Sequence, residues 1–87
     1  MDKNTKVKFK RNIDVTILNG EKAMLDFDTG NYYIIKGVGN DIWDMLSSEI
    51  TVNEIIEKLL NEYDVSYEEC ERSVFEFLEK LKKADII

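Results

Sequence analysis

Across 87 residues there is no histidine and one cysteine, Cys70, so neither the common zinc sites nor a nucleophile paired with an imidazole base can be assembled. A single thiol also excludes an intramolecular disulfide. Carboxylates are plentiful, but no Asp-x-Asp-x-Asp-Gly loop gathers them for calcium, and their scatter along helical faces is that of a solvated acidic surface. No metal site, cofactor or catalytic residue is therefore expected, and the chain reads as a binding module rather than an enzyme. The residues best suited to recognition are apolar ones. Tyr32-Tyr33-Ile34-Ile35 is apolar on both faces of a single strand and carries no charge until Lys36. Phe75 is the second candidate. Tyr67, Cys70, Val74, Phe77, Leu78 and Leu81 complete a core stripe without it. Phe75 projects roughly 110° from the centre of that stripe, on the flank of Glu68, Glu71, Glu79 and Lys82.

These residues need elements to hold them. Between Val15 and Lys36 two turn signals separate three runs rich in β-branched and aromatic residues, the pattern of a β-meander. Asn19-Gly20 suits a type I′ turn, whose two central residues need positive φ, and folds Val15–Leu18 back onto Glu21–Phe27. Asp28-Thr29-Gly30 predicts a longer hairpin that returns the chain as Asn31–Lys36. In the middle strand Ala23, Leu25 and Phe27 alternate with Lys22, Met24 and Asp26, which assigns the first set to the buried face.

From Val38 onward the period becomes helical. Val38, Ile42, Trp43 and Leu46 share one face of a short first helix between Gly37 and Ser47-Ser48. The second helix opens on a capping box, Thr51-Val52-Asn53-Glu54, with Ile50 and Ile55 placed as a hydrophobic staple and a stripe of Ile55, Ile56, Leu59, Leu60 and Tyr63. A second box, Ser66-Tyr67-Glu68-Glu69, opens a third helix that runs to Lys83, with Val65 and Cys70 as its staple. A three-stranded antiparallel meander followed by three α-helices makes an α+β domain like a winged helix-turn-helix over residues 15–87. Residues 1–14 form a basic N-terminal tail, to which Val7–Ile13 could add a further strand. The third strand of a meander lies at the sheet edge, and a flat, uncharged edge invites pairing. Either another part of the chain covers Tyr32–Ile35, or this edge docks an extended peptide, with Phe75 as one wall of a groove beside it.

Charge narrows the partners. The formal net charge is −6, yet residues 1–11 carry Lys3, Lys6, Lys8, Lys10 and Arg11 against Asp2, a local +4 that leaves −10 on residues 12–87. Phosphate neutralisation drives non-specific nucleic-acid binding, so an acidic body is a poor DNA or RNA binder. A winged-helix DNA reader is accordingly the weaker alternative, because residues 51–79 expose chiefly glutamates where base contacts call for Arg, Lys, Asn or Gln. A docking subunit for a folded partner protein is the stronger one. No apolar run approaches the roughly 18 residues that span a bilayer. Met1–Lys6 lacks the apolar stretch of a signal peptide, so no membrane association and a cytoplasmic location are expected.

The run Ala23-Met24-Leu25-Asp26-Phe27-Asp28-Thr29-Gly30-Asn31-Tyr32-Tyr33-Ile34-Ile35, followed by Gly39-Asn40-Asp41-Ile42-Trp43, resembles the PqqD-like peptide recognition elements, here as a stand-alone domain. Thr51-Val52-Asn53-Glu54-Ile55-Ile56 is similar to the start of that family's second helix. Glu62-Tyr63-Asp64-Val65 and Phe75-Glu76-Phe77-Leu78-Glu79-Lys80-Leu81 are similar to the approach and body of its third. The resemblance implies a winged helix-turn-helix that binds the leader segment of a ribosomally synthesised precursor peptide, as a strand added to the third strand and packed on the third helix. By position it assigns the peptide-binding strand to Asn31, Tyr32, Tyr33, Ile34, Ile35 and Lys36, and side-chain contacts to Phe75 with Glu71, Arg72, Glu79 and Lys82. The implied partner is a separate tailoring enzyme, a radical S-adenosylmethionine modifier or a lasso-type leader protease. A domain-swapped homodimer, exchanged about Gly37-Val38-Gly39, is a further state the family resemblance admits. One departure stands out: Ile35-Lys36-Gly37 occupies the place of the family's leucine-asparagine-proline before the first helix.

Overall fold

The computed structural model describes residues 1–11, 13–26 and 30–87. The chain runs β1 (Lys6–Val7), β2 (Asp14–Leu18), β3 (Glu21–Asp26), β4 (Asn31–Ile35), α1 (Val38–Met45), β5 (Ile50–Thr51), α2 (Val52–Glu62) and α3 (Tyr67–Lys83). The strands β2, β3 and β4 form an antiparallel meander in that order, and three helices follow. This is the expected α+β architecture. Asn19 and Gly20 both have positive φ, 54° and 82°, as the two-residue turn demands, and Leu18 faces Glu21 across it. Of the second turn, Phe27, Asp28 and Thr29 lie outside the described residues, while Gly30 has φ 74°.

Local chemistry also explains where the helices begin. At α2 the Thr51 hydroxyl accepts from the Glu54 N–H at 3.1 Å and the Glu54 carboxylate accepts from the Thr51 N–H at 3.3 Å, a complete capping box. At α3 only the hydroxyl half forms: Ser66 Oγ accepts from the Glu69 N–H at 3.2 Å. The start of α1 is different. Its N-cap is Gly37, at φ 55° and ψ −132° with no side-chain cap, a backbone region that side chains with a Cβ rarely enter. That conformation gives a physical reason for a glycine where the family pattern has proline, since proline fixes φ near −65°.

The core lies between the helices and one face of the meander. Ile42, Leu46, Ile55, Ile56, Leu59 and Leu78 are fully buried, and the sheet contributes Met24 and Ile35 to the same cluster. Here the alternation in β3 needs correcting. The helix-facing side of β3 carries Met24, opposite Val15 and Tyr33, and not the set of Ala23 and Leu25. Ala23 is sealed as well, but outside that cluster. Lys22 shares the inner face by running its apolar stem along the sheet to an ion pair with Asp44 of α1, which hides its polarity from a simple in-out pattern.

The N-terminal residues are not a free tail. Lys6 and Val7 pair with Thr51 and Ile50, Val7 is buried, and the ring of Phe9 sits 4.6 Å from that of Trp43. The carbonyls of Thr5 and Lys3 accept from the Val52 and Asn53 N–H groups at 3.0 and 2.9 Å, satisfying amides that the first turn of α2 leaves without helical partners. At the other end of this strap, Lys10 N–H donates to the Ile86 carbonyl at 2.7 Å. No hydrophobic period announces these contacts, because they are made with distant parts of the chain.

Candidate functional site

The free edge of β4 borders a groove whose opposite wall is α3. Which backbone groups of β4 are available follows from the register. Leu18 and Glu21 close the two-residue turn and form the first hydrogen-bonded pair, after which bonded and non-bonded pairs alternate. Ala23 and Leu25 therefore bond to β2, while Lys22, Met24 and Asp26 bond to Ile35, Tyr33 and Asn31 of β4. The N–H and C=O groups of Tyr32 and Ile34 are left pointing away from the sheet. Among the described residues no other backbone bond involves them. Tyr32 is 63% exposed and Ile34 39%, so the edge is open.

Side chains divide by the same alternation. Tyr33 and Ile35 share the helix-facing side of the sheet with Met24, and Tyr32 and Ile34 project from the outer side, with Ala23 and Leu25. Beyond Tyr33 and Ile35 the space opens to about 690 Å³ before it meets Ser73, Glu76, Phe77 and Lys80 of α3. That volume falls within the range of ligand pockets and can accept several side chains of an extended chain. Phe77, with the buried Leu81 one turn on, makes the helix wall apolar. The Phe77 ring lies over Gly39 of α1, where an added Cβ would come within 2.9 Å of the ring carbon Cε1. Gly39 thus fixes how deeply Phe77 can sit, and with it the depth of the groove.

The sequence expectations fall on two different surfaces. Asn31–Ile35 form β4, and Tyr32, Tyr33, Ile34, Ile35 and Lys36 line the groove. Phe75, Glu71, Arg72, Glu79 and Lys82 do not line it. Phe75 is packed against the core and does not line the groove. Glu71 pairs with Lys3 at 3.4 Å, and Lys82 borders a cleft lined by Thr5, Val7 and Lys8. Arg72 and Glu79 are exposed. The wall residue is Phe77, which the periodicity had assigned wholly to the core. Phe75 and Phe77 lie about 200° apart around the helix, one on each flank of the Val74–Leu78–Leu81 line. Periodicity cannot say which flank meets the sheet. The signal that could have decided it is the pair Val7 and Phe9, whose apolar side chains foretell that the N-terminal segment needs a surface to cover.

Among the described residues no cluster of carboxylates and thiol is placed to hold a metal ion. Cys70 is buried away from the groove, its Sγ 3.8 Å from the Ile56 carbonyl, and desolvation pushes its pKa up, which keeps it protonated and unreactive. No helix among the described residues is long and apolar enough to cross a membrane.

An open strand edge beside an apolar groove, carried by this order of elements, is an arrangement with known counterparts. The profile of the family described as coenzyme PQQ synthesis protein D, PqqD, matches residues 21–87. The chain belongs to the PqqD family. Within that fold it is similar to TbiB1, solved in complex with the TbiA(beta) leader peptide, at 26% sequence identity over 92% of this chain and 93% of that one, with a TM-score of 0.77. The PqqD-like recognition element inferred from the hairpin and helix motifs is thereby established as the family. Comparison with curated proteins yields no match.

Proposed function

We propose that this protein captures the leader segment of a ribosomally synthesised precursor peptide as a fourth strand of the meander and presents it to a separate tailoring enzyme, a radical S-adenosylmethionine modifier or a leader protease. The observation that carries the reading is the unpaired edge at Tyr32 and Ile34 lying directly beside the groove against Phe77. TbiB1, a leader-bound relative in structure, supports it.

The energetics require both features. Ordering about six residues of a free peptide costs on the order of 1–2 kcal/mol each. Four backbone hydrogen bonds at Tyr32 and Ile34 return only about 0.5–1.5 kcal/mol apiece. Two or three apolar side chains buried in the groove, at roughly 1.5–3 kcal/mol each, make up the difference. In an added strand every second side chain faces α3, so alternate leader residues are the anchors.

The test is an isothermal titration with synthetic peptides covering the leader halves of short open reading frames neighbouring this gene, using the wild-type chain and Ile34→Pro. Residue 34 spends its N–H on the open edge, so proline there removes a bond to the leader without removing one from the β3–β4 ladder. Binding that falls at least tenfold in the variant, with the fold intact by circular dichroism, supports strand addition. Equal binding by the two proteins, or no heat at high micromolar peptide, sinks it and favours docking of a folded partner.

A further inference from the structure

The groove sets three lysines against one carboxylate on a protein whose net charge is −6. Glu76 sits on the helix wall, followed by Lys80 and Lys83, with Lys36 on the facing strand end. Lys36 is engaged with Glu21 at 3.7 Å. Lys80 and Lys83 have no ion-pair partner among the described residues, in a chain with 18 carboxylates against 12 cations. Both stand at the end of α3, where cations are favoured by the helix dipole. The dipole alone does not set them around an apolar groove.

Resting on the leader-capture reading above, we infer that the groove selects a leader segment in which an apolar or aromatic anchor is followed or preceded, two residues away, by aspartate or glutamate. The spacing comes from matching two periods. Groove-facing side chains of an extended ligand recur about every 6.7 Å. Along the α3 axis Lys80 stands about 4.5 Å and Lys83 about 9 Å beyond Phe77, so for a leader laid along the helix the side chain two residues from an anchor on Phe77 falls at a height between the two lysines, both of which line the groove. The carboxylate gains two cations there and escapes the repulsion of the rest of the surface. A basic residue at the same position meets like charge at close range, so the arrangement discriminates as well as attracts.

The experiment selects binders from a displayed library of random dodecapeptides against the full chain, against Ile34→Pro and against the double variant Lys80→Gln/Lys83→Gln. The wild type is expected to enrich the anchor-x-acid pattern. The double variant should retain the apolar anchor and lose the acid. For the best synthetic peptide, replacing its acidic residue with the amide should weaken binding to the wild type about fivefold and to the double variant hardly at all. Thermal melts of both proteins report any helix-end effect separately. Apolar anchors without acid enrichment, or acid enrichment that survives in the double variant, overturn the charge inference while leaving strand capture standing. Peptides that bind Ile34→Pro as well as wild type, or no selected peptide at all, overturn strand capture and this inference with it.

Discussion

Gly39 illustrates how one missing Cβ shapes the site. A methyl group there would stand 2.9 and 3.2 Å from two carbons of the Phe77 ring, closer than side chains tolerate. The ring is bounded by α1 on one side and by open groove on the other, so Gly39→Ala should be relieved by a swing of Phe77 into the groove. The substitution also gains about 0.5–1 kcal/mol of helix propensity. The two effects separate cleanly in measurement. The melting temperature should change by no more than a few degrees, while the affinity for the leader peptide falls by roughly an order of magnitude, the loss of about one apolar anchor. A large loss of melting temperature with affinity preserved would mean that the strain is taken up in the α1–α3 contact and not by the ring.

At the scale of elements, α3 does two jobs on two flanks. One flank carries Phe77 to the groove beside β4, and the other carries Phe75, packed against the core one turn along from Glu71, which pairs with Lys3. Phe77→Ala should therefore weaken leader binding by about 1.5–3 kcal/mol, some ten- to 150-fold, at a smaller cost in stability. Phe75→Ala should do the reverse, lowering the melting temperature by roughly 4–8 °C per kcal/mol lost while leaving peptide affinity near wild type. Paired melts and titrations of the two variants decide it, and a stronger binding defect in Phe75→Ala would move the leader to the wrong flank. The elements themselves were legible from sequence because their signals are local: Asn19-Gly20 for a turn, Thr51 with Glu54 for a helix start. The strand that borders the site was legible too, from its uncharged run at Tyr32–Ile35. What was not legible depends on long-range packing. Lys22 looks solvent-facing until Asp44 is placed beside it, and Phe75 looks spare until it is seen packed against the core.

For the molecule as a whole, the strap joins the two ends of the chain. Lys10 Nζ donates to the Asp85 carboxylate at 2.7 Å, its backbone N–H reaches the Ile86 carbonyl, and the Arg11 guanidinium donates to the carbonyls of Ala84 and Asp85. The hydrogen bond from Lys10, helped by the Lys10 charge and more weakly by Arg11, holds the Asp85 carboxyl below its ordinary value of 3.8. A carboxylate whose folded pKa is depressed stabilises the fold at pH above its unfolded value, and that contribution disappears as pH falls through the lower folded value. Stability should thus carry a share from this tether at neutral pH that is gone in strong acid. Lys10→Gln removes the charged donor and should lower the melting temperature at pH 6. The gap to wild type should narrow as pH falls below the ordinary carboxyl value of 3.8 and through the lower folded value, as both proteins come to hold a protonated Asp85. Melts across that range, repeated at high salt, measure it. The pair is exposed, so added salt should shrink the gap at pH 6. A gap that persists unchanged at pH 2 would assign the effect of Lys10 to its apolar stem and backbone, and not to its pairing with Asp85.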